Sequence, residues 1–173
     1  ASAQRVERLF VHAFTDGRDT MPDSGLEFVR QLETDLERLG PGRVASVSGR
    51  YYAMDRDQHW ERTALAWRAI IGTAERRCES GTDALRRAYD EGASDEFVQP
   101  TVVQGLDGRP LGPLSARDAV VVFNFRADRV RQLLAALTDP GFDAFERGLP
   151  PIEHVATLAE VRRGQSAAIA FPS

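Results

Sequence analysis

An apolar run, Ala119-Val120-Val121-Val122-Phe123, breaks off at a charged segment, Asn124-Phe125-Arg126-Ala127-Asp128-Arg129. No other junction constrains the fold as tightly. β-Branched and aromatic residues dominate the run, which marks a strand buried on both faces, as in a parallel sheet. Beyond it the period changes. Val130, Leu133, Leu134 and Leu137 fall at helical spacing, so residues 124–128 form a strand-to-helix turn with Asp128 as a candidate N-cap. In an open α/β sheet such turns lie at the carboxyl edge, where ligands bind. Arginines in a first helical turn oppose the helix dipole, so Arg126 and Arg129 answer to something other than helix stability.

The same rhythm occurs twice nearer the N-terminus. Residues Arg8 to Phe14 read as a strand, and Thr15-Asp16-Gly17-Arg18-Asp19-Thr20-Met21-Pro22 as a polar turn. A helix follows, capped by Asp23 or Ser24, apolar at Leu26, Val29, Leu32, Leu36 and Leu39, and ended by Gly40-Pro41-Gly42. Val44 to Ser48 is a second strand, and residues Gly49 to Asp57 are its charged turn. Strand, charged turn, helix, strand, charged turn is a βαβ unit with both turns at one edge.

The remainder supplies further pieces of the same kind. Trp60, Ala64, Trp67, Ile70 and Ile71 outline a long helix, with both tryptophans in the core. Leu85, Ala88 and Tyr89 outline a shorter helix, after a polar loop from Glu75 to Gly81. Pro100 confines the β-forming stretch from Phe97 to Val103 to an edge or a bent strand. Residues Leu106 to Pro110 form a turn, read as that of a hairpin. Thr138 to Pro151 is a loop whose Phe142 and Phe145 pack over the sheet, while His154 to Leu158 and Ala167 to Phe171 are short strands. Ala1 to Glu7 resembles the tail of a helix. The fold class expected is α/β: a mostly parallel sheet with helices on both faces, an α/β/α sandwich, with an edge hairpin.

Composition narrows the function classes. The basic side chains number 22 and all are arginine, yet the formal net charge is -4. A GC-rich genome accounts for the arginine total but not for its placement. An acidic balance argues against a general nucleic-acid surface, so any anion site is local. No run approaches the roughly 20 apolar residues of a membrane span, and no signal-peptide core is evident, so the chain reads as cytoplasmic. The lone Cys78 and the scattered His12, His59 and His154 lack zinc-ligand spacing. His12 reads as a strand residue with a satisfied hydrogen bond, and Met54 has no evident role.

Three turns therefore carry Arg18 and Asp19, Arg50 and Arg56, and Arg126 and Arg129. On parallel neighbouring strands these side chains converge on one cleft. A guanidinium offers a rigid fork of donors that matches carboxylate or phosphate oxygens in pairs, which suits a small multiply charged metabolite. Asp19, a carboxylate among cations, is a general-base candidate toward a substrate hydroxyl. Each turn alone also has a bland reading, in which Asp19, Asp55, Asp57 and Asp128 pair with nearby arginines on solvated loops for about 0 to 1 kcal/mol. Recurrence of the pattern in three turns favours the site.

These turns also carry a resemblance. Val11-His12-Ala13-Phe14-Thr15-Asp16-Gly17-Arg18-Asp19-Thr20, Ser48-Gly49-Arg50-Tyr51-Tyr52-Ala53-Met54-Asp55-Arg56-Asp57 and Phe123-Asn124-Phe125-Arg126-Ala127-Asp128-Arg129 resemble successive segments of cofactor-independent phosphoglycerate mutases. Asp95-Glu96-Phe97-Val98-Gln99-Pro100-Thr101 resembles a further one, whereas Thr157-Leu158-Ala159-Glu160-Val161 departs from the family pattern. The resemblance implies that residues 1–173 are the phosphotransferase, substrate-binding domain, truncated at its N-terminal end. It implies that Arg18, Arg50, Arg56, Arg126 and Arg129 bind 3-phosphoglycerate or 2-phosphoglycerate, and that Asp19 engages a glycerate hydroxyl.

By the same resemblance the serine nucleophile and two manganese ions belong to a phosphatase-like domain of the same polypeptide, a histidine motif belongs before Ala1, and a substrate lysine belongs after this domain. No metal ligands are expected in this chain, which alone would hold substrate without turning it over. A non-catalytic phosphate- or nucleotide-binding module is the alternative. An RNA-binding domain using Tyr51 and Tyr52 is disfavoured by the net charge.

Overall fold

The computed structural model describes residues 6–172. Its elements follow in order as β1 (Leu9–Thr15), α1 (Gly25–Leu39), β2 (Gly42–Gly49), the short α2 (Arg50–Ala53), α3 (Trp60–Ile70), β3 (Arg77–Cys78) and α4 (Gly81–Asp90). A 3₁₀ turn (Asp95–Phe97), β4 (Thr101–Val103), β5 (Ala119–Val122), α5 (Ala127–Thr138), β6 (His154–Thr157) and β7 (Ala168–Ile169) complete it. The helical tail expected over Ala1 to Glu7 lies largely outside the described residues.

The chain has the α/β sandwich architecture its pattern predicts, but its strands form two separate hydrogen-bonded ladders where a single sheet is expected. Four strands pair in the order β1-β2-β4-β3 and three in the order β5-β6-β7. Every pairing is parallel except that of β2 with β4. β1 and β2 run side by side from Leu9↔Gly42 to Thr15↔Gly49, so their charged turns leave the same edge.

Helices cover the strands by ordinary apolar packing. Val29 and Leu36 of α1 and Ala84, Leu85 and Ala88 of α4 close over Val44 and Val47 of β2 and Val103 of β4. α3 joins the two ladders. Its Ala69 packs on Val102 of β4, while Trp67 and Ile70 pack with Leu133, Leu134 and Leu137 of α5 above Val122 and Val155. The loop after α5 sets Phe142 and Phe145 against α3, with Phe142 edge-on to Trp60 and Phe145 tilted on Trp67. Trp67 Nε1 donates to the Arg147 carbonyl at 2.7 Å.

Three further expectations are corrected. β5 is not buried on both faces: Val121 is 66% exposed, because its side chain lies on the uncovered face of the strand while Val122 lies on the packed one. The stretch around Pro100 is not an edge strand. β4 starts after the proline and lies between β2 and β3, so the missing N–H falls outside the ladder. The loop from Glu75 to Gly81 contains the short strand β3. The turn at 106–110 does fold back as a hairpin, with Leu111 N donating to the Val103 carbonyl and an antiparallel bridge between Gln104 and Pro110.

Leu85 is fully buried and Leu39 is exposed. Leu85→Ala is expected to lower the free energy of unfolding by about 3 kcal/mol, read as a shifted urea midpoint. Leu39→Ala is expected to stay within about 0.5 kcal/mol of the parent.

Candidate functional site

The carboxyl ends of β1, β2 and β5 deliver their turns to one rim. Arg50 opens α2 immediately after β2, and its side chain is only 3% exposed. Its Nη1 donates to Asp16 Oδ1 and, at 3.0 Å, to Asp19 Oδ2, both in the turn after β1. The same Asp19 oxygen accepts from Arg126 Nη1 at 3.0 Å, across to the turn after β5. Asp19 thus joins all three turns. Asp128 repeats the device, taking Arg56 Nη1 at 2.9 Å, with Arg126 Nε at 3.6 Å and Arg129 Nε at 3.9 Å.

The structure therefore brings together Asp19, Arg50, Arg56, Arg126 and Arg129. Arg18 stands apart: its side chain is exposed and its ion-pair partner is Glu96, at 4.0 Å. Asp128 is not the N-cap of α5, since Arg126 holds that position without a capping side chain. One residue inside the helix, Asp128 instead places its carboxylate between three guanidinium groups.

Four guanidinium groups, those of Arg50, Arg56, Arg126 and Arg129, face the carboxylates of Asp16, Asp19 and Asp128, and Asp57 lies 4.0 Å from Arg56 Nε. Arg129 is hemmed in by the other three arginines. Its Nη1 donates to the Met54 carbonyl at 3.0 Å, while its buried Nε lacks a hydrogen-bond partner among the described residues. Burial, followed by the repulsion of Arg50, Arg56 and Arg126, draws its pKa below the ordinary arginine value. The Arg56 hydrogen bond holds the Asp128 carboxyl below the usual carboxylate range. For Asp16, burial pushes upward, but the Arg50 bond and the N–H groups of Asp19 and Arg18 outweigh it and the net shift is downward. A rim of partly exposed guanidinium forks is equipped to take an anion's oxygens.

A second layer holds the arginines in place. Buried Asp55 accepts from the N–H groups of Asp57 and His59 at 3.0 Å each, from His59 Nδ1 at 3.1 Å and from Arg62 Nη1 at 3.4 Å. This folds the loop that carries Arg56. Gln58, at φ 65°, is kept in that left-handed conformation by Gln132 of α5, whose Oε1 accepts its N–H at 2.8 Å and whose Nε2 reaches Thr63. Asp16 Oδ1 accepts the N–H groups of Arg18 and Asp19 at 3.1 Å, an Asx-type turn that sets the backbone under Asp19. His12 bonds Ser46 Oγ at 2.8 Å, and burial pulls its pKa to about 4, so it is neutral at pH 7. Among the described residues, no three or more His, Cys, Asp or Glu side chains are grouped to hold a metal ion.

Sequence reasoning overlooked Asp16 and the Met54 carbonyl. The spacing of Asp16 to the next N–H groups was a usable signal, whereas a backbone acceptor leaves none. Asp55 was expected to pair with arginine, and it does, through Arg62.

The fold and the rim define a mostly parallel α/β domain with a cluster of arginines at its carboxyl edge. Sequence comparison narrows that class: residues 1–162 match the family described as BPG-independent PGAM N-terminus (iPGM_N), and the chain belongs to that family. The 2,3-bisphosphoglycerate-independent phosphoglycerate mutase of Thermomicrobium roseum is 49% identical over 173 residues, covering 99% of this chain and 33% of that protein. The Clostridioides difficile enzyme of the same name is 44% identical over 147 residues, covering 85% and 29%. A crystal structure of Leishmania mexicana phosphoglycerate mutase at low cobalt concentration matches with a TM-score of 0.82 at 32% identity, over 88% of this chain and 29% of that one. The chain spans about a third of the length of the curated relatives it matches.

The shifted carboxylates imply a pH dependence. Asp55 is held below its ordinary value because, although burial pushes it upward, the N–H groups of His59 and Asp57 and the His59 side chain outweigh that. Its stabilisation is therefore complete above the unfolded value of about 3.9 and is lost as pH falls through the lower folded value. Thermal melts between neutral and acid pH are expected to show a steeper loss below about pH 4 for the parent than for Asp55→Asn.

Proposed function

We propose that this chain is the substrate-holding part of a phosphoglycerate mutase, which interconverts 3-phosphoglycerate and 2-phosphoglycerate in glycolysis and gluconeogenesis. The observation that carries the reading is the Asp19 carboxylate shared by Arg50 and Arg126, beside Arg56 and Arg129, in a chain of this family. Substrate oxygens replace carboxylates of the protein at the guanidinium forks, so binding exchanges one charge-assisted hydrogen bond for another. Which arginine takes phosphate and which takes carboxylate follows from which fork is freed.

Asp19 supports a second role. Both arginines use its Oδ2, and Oδ1 makes no hydrogen bond among the described residues, so that oxygen is free to accept from a glycerate hydroxyl. In this reading Asp19 takes the hydroxyl proton as the oxygen attacks phosphorus, while the arginine rim holds the glycerate against escape. The phosphoryl group itself is carried by a phosphoserine in the rest of the polypeptide, with two manganese ions bound there. A cytoplasmic setting belongs to the same reading. Arg18, exposed and turned to Glu96, reaches substrate only if its side chain leaves that partner.

Titration of the chain with 3-phosphoglycerate tests the clamp. Arg126→Ala is expected to weaken binding between about tenfold and a hundredfold, the loss of one or two hydrogen bonds to a charged group. The parent's affinity is expected to fall with added salt. Tight binding of ATP with no response to 3-phosphoglycerate would overturn the reading in favour of a nucleotide-binding module. A coupled mutase assay on the 173-residue chain alone is expected to show no turnover, and activity there would sink the assignment of phosphoryl transfer to the rest of the polypeptide.

A further inference from the structure

The Asp95-Glu96-Phe97-Val98 segment carries none of the rim arginines, yet it lies beneath two of the three turns that form the rim. Asp95 is 1% exposed. Its Oδ2 accepts the first N–H of α1, that of Gly25, at 2.7 Å. Its Oδ1 accepts the hydroxyl of Tyr89 from α4, and that hydroxyl in turn accepts the N–H of Leu26 at 3.2 Å. Ser24, which occupies the N-cap position, turns away and donates to the Met21 carbonyl. The cap of α1 therefore comes from a residue seventy positions later.

The backbone of Asp95 grips the same turn at both ends. Its carbonyl accepts from Thr15 Oγ1 at 2.7 Å, where β1 ends, and its N–H donates to the Pro22 carbonyl at 2.7 Å, just before α1. Between these points Gly17 lies flat on the segment. A Cβ there would stand 2.7 Å from both Asp95 Cβ and Glu96 N, and its φ is +66°. The Arg50 turn rests on the same floor, since a Cβ on Gly49 would stand 2.3 Å from the Glu96 carbonyl oxygen, and Gly49 N donates to the Val98 carbonyl at 2.8 Å.

A buried carboxylate without a cation is an expensive way to cap a helix that has a serine in place. Hydrogen bonds from Gly25 and Tyr89 are its compensation, and burial together with Asp23 and Asp16 pushes its pKa upward. We propose that Asp95 is a positioning residue for the site: it fixes the Asp16–Thr20 turn between β1 and α1 so that Asp19 meets Arg50 and Arg126 together, without touching substrate itself. The inference rests on the functional reading above for its kinetic consequence only.

The test uses the full-length polypeptide that carries this chain. Asp95→Ala is expected to speed amide exchange at residues 17–20 about tenfold relative to α5. It is expected to lower kcat per folded molecule about tenfold while KM stays within about threefold, because Arg56 and Arg129 rest on other supports. Asp95→Asn, which keeps an acceptor for Gly25, is expected to restore most of the rate. A merely structural role would lower the melting temperature while leaving exchange at 17–20 and kcat per folded molecule at parent values, and that result overturns the proposal. Should Asp95→Ala fail to fold, Tyr89→Phe decides: faster exchange at 17–20 with reduced kcat supports it, and parent values for both overturn it. A parent protein without mutase activity would remove the functional reading but leave the exchange comparison intact as the test of positioning.

Discussion

Like charges gathered at one rim repel, and the architecture rests on how that repulsion is contained. Asp19 and Asp128 are interleaved among four guanidinium groups so that no two arginines meet without a carboxylate between or beside them. Arg50, nearly inaccessible to water, would be costly to bury alone, and it is compensated by two carboxylates from the turn after β1. At Arg129, burial and the neighbouring arginines act in the same direction, both disfavouring its charge.

The fold places this network by simple means. Parallel pairing of β1 with β2 and of β5 with β6 sends three turns to the same edge, and α3 braces both ladders through opposite sides of its surface. Apolar packing fixes the helices; polar contacts from Asp16, Asp55, Asp95 and Gln132 fix the loops. This division has a physical basis. Loops at a ligand edge cannot be held by buried apolar side chains without closing the site, so their order comes from hydrogen bonds to backbone groups.

Much of this was legible in the sequence, and what escaped it is instructive. Hydrophobic period located α1, α3, α4 and α5 and the strands β1, β2, β5 and β6, because each carries a repeated apolar face. The rim residues Arg50, Arg56, Arg126, Arg129 and Asp19 were legible as recurrent charges after strands. Arg18, named with them as a charge of the first turn and by the family resemblance, is exposed and lies 4.0 Å from Glu96, outside the carboxylate network. β5 was read as fully buried from its composition, but composition cannot report that one face of a strand is left uncovered. β4 was misjudged because a proline one residue before a strand carries no penalty. The support from Asp95 and Gln132 spans about seventy residues of sequence in each case, a distance at which single-sequence patterns are silent.

Among the described residues the two ladders share no hydrogen bond between strands, and across the rim they are tied by side chains such as Asp19 to Arg126 and Arg56 to Asp128. Widening the cleft would break these exposed ion pairs and strain the partly buried bond of Arg129 to the Met54 carbonyl, while the strand pairing itself could survive it intact. The width of the mouth is in this sense decoupled from the integrity of the scaffold, so ligand and salt can adjust the one without eroding the other.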